Sequence, residues 1–379
     1  MKTRIFILLR VLAFCVLMLN VSEITADVTS EIKTIQQIGH NAENYAAAQK
    51  ALDSLQSSGP DALLPILYSL GEANPLAANY LRNSFEVIAN KTLTEKKSLP
   101  LEDLLNFVRR TKNDSKARRL AFEWIRRVSP QEADKLVTNF LNDPSDELRR
   151  EAVAKILKEI EELAKDDASA EALKRSRYLQ ALSGASDDDQ VRKIVKGLEA
   201  FEIKVDLQEH YGFLSDWYLI GPFDNKDEKG FDVAYPPENE IKLDAEYDGQ
   251  LGNVTWQKYE TDDDYGKLNI AEKVGPHKGA VVYAYREFVS KDEQPVEFRL
   301  ATPNAWKIWL NGELVFEREE YHRGTFFDQY RIPALMKEGR NTLLIKVLQN
   351  EQDQSWAQDW QFQFRICQPT GMALRPEKE

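Results

Sequence analysis

Residues Ala305 to Phe316 read AWKIWLNGELVF, and Leu335 to Leu348 read LMKEGRNTLLIKVL. In the first stretch apolar and polar residues alternate on either side of Asn311-Gly312, and a period of two marks a half-buried strand. A two-residue type I′ turn needs φ > 0 at both central positions, which Asn-Gly tolerates, so the stretch predicts a β-hairpin. Further strands are predicted outward from it at Val281 to Ser290, Val296 to Ala301, Asn341 to Leu348 and Trp360 to Cys367, with Ser215 to Asn225 (SDWYLIGPFDN) opening the region. Short strands punctuated by Gly, Pro and Asn predict an antiparallel β-sandwich over residues 205–372, leaving 373–379 as a disordered tail.

Strand alternation sorts the faces. Val296, Phe298 and Leu300, Trp306, Ile308 and Leu310, Leu343, Ile345 and Val347, and Trp360, Phe362, Phe364 and Ile366 each hold one parity and are expected to form the inter-sheet core. The opposite parity presents Arg299, Lys307, Trp309, Lys346, Gln361, Gln363 and Arg365. A flat indole ringed by amides and charged donors is what a sugar requires: an apolar plane for a pyranose face and fixed polar groups for its hydroxyls. Trp309, with Lys307, Arg299, Gln361, Gln363 and Arg365, is therefore the leading ligand-binding candidate. The competing reading packs Trp309 beneath a loop or against the helical half. Loop aromatics are a second candidate: Trp256, Tyr259, Tyr265, Tyr321, Phe326, Phe327 and Trp356 fall between strands, where binding groups gather.

From Ser30 to about Glu202 the chain changes character. Ala, Leu, Glu, Lys and Arg dominate, apolar residues recur at three- and four-residue spacing, and breaks fall at Gly59-Pro60, Asn74-Pro75, Ser129-Pro130 and Asp143-Pro144, which predicts short helices joined by tight turns. Arg82 to Ile88, Arg119 to Ile125 and Arg150 to Ile156 align at offsets of 37 and 31 residues. Such a period belongs to stacked helical hairpins, each burying a face it could not bury alone. Trp124 falls on the apolar stripe and is expected in the core.

Asn142-Asp143-Pro144 followed by Leu148-Arg149-Arg150-Glu151-Ala152 resembles the turn and second helix of HEAT-type repeats, and the resemblance runs from about Pro60 to Gly197. Tyr283 to Phe288, the Asn311-Gly312 hairpin, Tyr330-Arg331-Ile332 and Glu338 to Val347, in that order, resemble the galactose-binding-like jelly roll, particularly the sugar-binding domain of some exported glycoside hydrolases. Trp217 to Asn225 is similar to a motif of exported bacterial proteins that fuse helical repeats to such a domain, a likeness that implies no activity.

Met1 to Asn20 combines a basic start with an apolar core, and Ile24-Thr25-Ala26 offers a cleavage site before Asp27, which predicts export to the periplasm or beyond. An uncleaved anchor is the alternative, although the apolar stretch is short for a span. The formal net charge is −12 over 379 residues. Removing Lys2, Arg4, Arg10 and Glu23 with the leader makes it −14. Such a charge repels phosphate backbones and anionic lipid, so neither nucleic acid nor membrane is an expected partner of the mature chain. Cys15 leaves with the leader, so the mature chain holds Cys367 alone and no internal disulfide is expected.

Catalytic signatures are sparse. His40, His210, His277 and His322 make no HExxH, and no nucleophile elbow, P-loop or dinucleotide fingerprint is present. Glu319-Glu320-Tyr321-His322-Arg323 is the most catalytic-looking cluster, and acidic residues are common enough here that proximity in sequence alone assigns it nothing. Asp187 to Asp189, Asp262 to Asp264, and Asp224-Asn225 with Asp227 are oxygen-rich enough to suggest a structural calcium, but solvated turns are the stronger reading because no spacing fixes coordination. Asp166-Asp167 reads the same way.

The sequence thus predicts a multidomain α plus β protein: leader 1–26, a HEAT-like α-solenoid over 27–204, and a galactose-binding-like jelly roll over 205–372. A non-catalytic role is expected, with the sandwich binding carbohydrate or cell-envelope glycan and the solenoid offering a protein surface. The alternative is a protein–protein scaffold of the envelope with no sugar ligand.

Overall fold

The computed structural model describes residues 27–39, 43–163 and 168–374. The predicted leader, Asp166-Asp167 and the last five residues of the predicted tail lie outside the described residues. The chain is an α plus β multidomain protein, helical first and then antiparallel sheet, and divides into two compact units after Leu163.

The first unit holds α1 (residues 27–36), α2 (Tyr45–Ser57), α3 (Leu63–Ser69), α4 (Pro75–Thr94), α5 (Leu101–Arg109), α6 (Ser115–Val128), α7 (Pro130–Val137) and α8 (Asp146–Glu162). Proline sets several starts. Asn74 accepts from the N–H groups of Leu76 and Ala77, each at 3.0 Å, and Pro75 enters at the first helical position, where a missing N–H costs nothing. Ser129 precedes Pro130 in the same way without a side-chain cap bond. The aligned heptapeptides fall on α4, α6 and α8, and place Phe85 and Ile88, Phe122 and Ile125, and Val153 and Ile156 at buried positions. Trp124 is in the core, edge-on to Phe85 with ring centroids 6.1 Å apart. On the opposite side of these helices charges interlock from one to the next: Arg82 reaches Glu123 at 3.6 Å, and Arg119 reaches Glu123 at 3.0 Å and Glu151 at 2.6 Å.

The turn before α8 carries a buried ion pair. Arg118 forks onto both carboxylate oxygens of Asp143 at 2.7 and 2.6 Å, and its Nε donates to Val108 O. Asp143 also accepts from Ser145 N–H, while its carbonyl accepts from Arg149. Asp143 thus holds the turn between α7 and α8 through both its carboxylate and its carbonyl.

The second unit begins with α9 (Ala168–Gly184) and α10 (Asp188–Glu199), so the division falls well before the boundary expected after residue 204. Hydrogen bonding ties these helices to the sheet-forming part of the chain: Asp188 accepts from the hydroxyls of Tyr211 and Tyr265, and the His210 ring meets Ala185 O at 3.0 Å. The short α11 (Leu207–Tyr211) leads into β1 (Asp216–Asp224), α12 (Pro236–Asn239), β2 (Glu246–Gly249), β3 (Gly252–Thr255), β4 (Gln257–Glu260), β5 (Leu268–Asn269) and α13 (Ile270–Lys273). Then come β6 (Ala280–Ser290), β7 (Gln294–Ala301), β8 (Ala305–Leu310), β9 (Glu313–Arg318), β10 (Tyr330–Met336), β11 (Gly339–Gln349) and β12 (Gln361–Cys367).

Two antiparallel sheets face each other, one ordered β4-β1-β6-β11-β8-β9 and the other β10-β7-β12-β5. The β8–β9 turn is the predicted one, with Asn311 at φ 53° and Gly312 at φ 83°. All the residues assigned to the inter-sheet core by parity are buried in one cluster. A second apolar cluster lies outside the inter-sheet core. It covers the outer face of the six-stranded sheet, where Phe231, Val254 and Trp256 pack on Ile220, Tyr283 and Leu344. Ala373 bridges Cys367, and Leu374 N–H donates to Ile366 O, so the start of the expected tail pairs with β12. Among the described residues no helix is long and apolar enough to cross a membrane.

Candidate functional site

The candidates chosen by parity separate onto two sheets. Trp309 and Lys307 lie on β8 of the six-stranded sheet, whereas Arg299 is on β7 and Gln361, Gln363 and Arg365 are on β12 of the other. Their outer faces point away from each other across the shared core, so no single small ligand meets all six. Four of the six are also committed locally. Trp309 is half-buried against the second apolar cluster. Lys307 pairs with Glu317 at 2.7 Å and sits 4.0 Å from the centroid of Phe231. Arg365 and Arg299 converge on Asp328, and Arg365 lies over the Phe327 ring at 4.8 Å beneath Tyr211 and Phe213. Gln363 is buried and Gln361 half-buried. Burial alone would raise the Asp328 carboxyl, yet the two guanidiniums outweigh it and hold it below the usual range. Burial pushes the Cys367 thiol up, the opposite of an activated nucleophile.

The loop aromatics divide equally clearly. Trp256 is buried in the second cluster, Tyr259 packs on the inter-sheet core, and Tyr265 and Phe327 stack around Tyr211. Phe326 and Trp356 stay open, at 63 % and 61 % exposure. Trp356 has organised surroundings. It stands on a 3-10 turn, Ser355–Ala357, whose Ala357 carbonyl accepts from Lys278 Nζ at 2.7 Å and Gln349 Nε2 at 3.1 Å. The indole meets His322 edge-to-face, with centroids 5.4 Å apart and planes at 83°.

From His322 a chain of polar groups runs across this loop end. The imidazole Nε2 is 2.8 Å from Asn350 Oδ1, and Asn350 Nδ2 donates to Glu228 at 3.0 Å. Next to it Asn225 Nδ2 donates to Tyr321 Oη at 3.2 Å and to Gln349 O at 3.1 Å. Burial, then the carboxylates Glu228, Glu319 and Glu351, push the Tyr321 hydroxyl up to about 12, so it is a neutral donor and acceptor. Asp227, Glu228 and His322 all adopt left-handed backbone, at φ 55°, 61° and 58°. Non-glycine residues held there carry strain, and such strain gathers at binding and catalytic sites.

Of these groups, Tyr321 and Trp356 were among the sequence candidates, while Asn350 and Glu228 were missed. The run Asn350-Glu351-Gln352-Asp353-Gln354, separated from Trp356 by Ser355 alone, is the sequence signal for Asn350, amides and carboxylates close to an aromatic. In the Glu319–Arg323 cluster Glu320 pairs with Arg318 and Arg323, and burial followed by Asp232 and Glu228 raises the Glu319 carboxyl. The oxygen-rich runs serve local structure: Asp263 accepts from the N–H groups of Tyr265 and Lys267, and Asp188 opens α10 and binds Arg192 at 2.7 Å. Among the described residues no group of three or more His, Cys, Asp and Glu side chains is placed to hold a metal ion.

No family model and no curated protein sequence matches this chain. Among solved structures it is similar to the β-glucosidase of Kluyveromyces marxianus in complex with glucose, at 10% identity and TM-score 0.25 over 40% of this chain and 16% of that one. A β-glucuronidase from an uncultured Clostridium sp. gives 16% identity and TM-score 0.26, over 41% and 28% of the two chains. The GH31 α-xylosidase of Xanthomonas citri gives 9% and 0.21, over 41% and 18%. The likeness is distant and partial, and this chain spans less than a third of the length of each.

Proposed function

We propose that this chain is an exported, non-catalytic protein that binds carbohydrate or cell-envelope glycan through the Trp356 end of its β-sandwich. The observation that carries the reading is the open indole of Trp356 on a backbone pinned from below, beside the His322–Asn350–Glu228 chain. An aromatic plane with fixed donors and acceptors at its edge stacks on a pyranose face and bonds its hydroxyls without reorganising first. Asn350 stands between His322 and Glu228, so the imidazole is met by an amide rather than a carboxylate, which supports a binding role over a catalytic one.

A protein scaffold is the second reading, favoured by a cleft of about 370 Å³ in the helical unit lined by Leu70, Pro75, Arg82, Asp114, Lys116 and Leu120. In both readings the helical unit is the surface for a protein partner. The test is retention of the full chain, less its leader, on a panel of insoluble polysaccharides and peptidoglycan, beside Trp356→Ala and Trp309→Ala. Retention by one glycan class that Trp356→Ala abolishes and Trp309→Ala preserves supports the reading. No retention of folded protein transfers the weight to the scaffold.

A further inference from the structure

Three loops bring carboxylates to the hydroxyl of Tyr321. Glu228 comes from the segment after β1, Glu319 follows β9 and Glu351 follows β11, and all three add to the burial that raises that hydroxyl. The Glu319 carboxyl is itself raised, by burial first and then by Asp232 and Glu228, which marks the same crowding of negative charge. The cations around them are committed elsewhere: Lys307 pairs with Glu317, Arg318 and Arg323 share Glu320, and Lys229 holds Asp227. Among the described residues no ion pair reaches Glu228, Glu319 or Glu351, and all three are exposed. Two of them are fixed by neutral donors alone. Glu228 Oε1 accepts from Asn350 Nδ2 at 3.0 Å and Glu351 Oε1 from the Asp227 N–H at 2.8 Å, which leaves the Oε2 of each as a free acceptor.

Like charges held near one another repel, and a cation that enters relieves them while making charge-assisted hydrogen bonds. Tyr321 adjoins the platform: its ring lies 6.3 Å from the His322 ring, which meets Trp356 at 5.4 Å. The indole takes a pyranose face, and the carboxylates beside it decide what that sugar, or its neighbour in a chain, has to carry. We infer that the glycan held by the Trp356 platform is cationic, an amino sugar whose free ammonium group sits beside Tyr321 among Glu228, Glu319 and Glu351. The inference rests on the platform reading above and names its ligand class. A neutral sugar gains nothing from the three carboxylates, and a sugar acid is repelled by them. A lysine side chain answers the carboxylates but brings no ring for the indole and no hydroxyls for the polar groups at its edge. Among the described residues these carboxylates form no group able to hold a metal ion.

The test is titration calorimetry on the full chain, less its leader, with the β-1,4-linked tetramers of glucosamine and of glucose, which differ by an ammonium group for a hydroxyl on each ring. Mildly acidic buffer keeps the amines protonated and the carboxylates ionised. The glucosamine tetramer is expected to bind about tenfold more tightly at low salt, the scale of several exposed charge pairs, and the ratio should shrink at high salt. Glu228→Gln/Glu351→Gln keeps both accepting oxygens and should bring the ratio close to one. Glu260→Gln/Asp262→Asn removes the same charge from β4 and the loop after it, and should leave the ratio unchanged. Trp356→Ala should abolish saturable binding of both tetramers. Equal affinities that Trp356→Ala abolishes would overturn the amine and leave the platform standing, as would no binding of either tetramer by a chain that another glycan retains. A ratio that survives Glu228→Gln/Glu351→Gln, or falls as far in Glu260→Gln/Asp262→Asn, would reduce the preference to net charge. Tetralysine binding as tightly as the glucosamine tetramer would make the ligand a basic peptide. A preference that Trp356→Ala leaves intact would remove the platform itself, and this inference with it.

Discussion

Lys346 Nζ lies 2.9 Å from Glu238 Oε1 with its side chain entirely withdrawn from solvent. The ammonium also donates to Val233 O at 2.7 Å and Phe231 O at 3.2 Å, between the rings of Tyr235 and Tyr283. One lysine on β11 therefore fastens the segment from Phe231 to Glu238 across the outer face of the six-stranded sheet. Replacing it with methionine fills the space but leaves the Glu238 carboxylate with the Tyr283 hydroxyl in place of its cation and strips two carbonyls of their donor. Breaking a buried pair from one side typically costs about 3–5 kcal/mol. Lys346→Met should lower the stability of the second unit by that order in urea denaturation, and Lys346→Met/Glu238→Gln should recover part of the loss. A double variant no better than the single one would deny the pairing its role.

The same lysine sets an alkaline dependence. Burial, the largest influence, lowers its pKa below the ordinary 10.5 despite the bond to Glu238. The folded state therefore holds this proton less tightly than the unfolded chain. The penalty is full below the folded pKa and fades as pH rises from there toward 10.5, so this group makes stability rise with pH in that window. The difference in unfolding free energy between the parent and Lys346→Met should widen from neutral pH into the alkaline range. A difference independent of pH would remove Lys346 as its source.

Asp328 gives the opposite sign. Its carboxyl is held below the ordinary 3.8 by Arg365 and Arg299 against the effect of burial, so the stability it confers is complete above 3.8 and is lost as pH falls through the lower folded value. Asp328→Asn keeps the shape and removes the charge. It should destabilise the second unit at neutral pH and flatten the acid limb of a plot of unfolding free energy against pH, with the parent and variant converging at the acid end.

Why the candidate site moved is visible in Trp309 and Arg299. Alternation along β7, β8, β11 and β12 placed every core residue on the correct side, because parity is a local property of the pleat. Sheet membership is not local. β8 pairs with β11 and β9, whereas β7 pairs with β10 and β12, so residues of equal parity were sent to opposite outer faces. Nor does alternation announce a second layer: Tyr283 and Leu344, outside the inter-sheet core, are covered by Phe231 and Trp256 from segments more than twenty-five residues away. What was legible came from short-range chemistry, the Asn311-Gly312 turn and the capped proline at Asn74-Pro75, and from the Arg82, Arg119 and Arg150 repeat. The His322–Asn350–Glu228 chain joins three loops that only the closed sandwich brings together.

Asp143 makes the corresponding prediction for the helical unit. Its carboxylate takes both arms of the Arg118 fork and the Ser145 N–H, with almost no exposure on either side chain. Arg118 in turn reaches Val108 O at the end of α5, so one aspartate links the turn before α8 to the α5–α6 hairpin. Asp143→Ala leaves a buried guanidinium unpaired, which typically costs about 3–5 kcal/mol. The helical unit should lose that order of stability, while Arg150→Ala, on the outer side of the same helix and one residue beyond Arg149, should change it far less. Hydrogen exchange resolved by segment checks the assignment: protection should fall across α5 to α8 in Asp143→Ala and hold in β6, β8 and β11. Equal losses from the two variants would mean that the turn before α8 owes its order to apolar packing rather than to the Asp143–Arg118 pair.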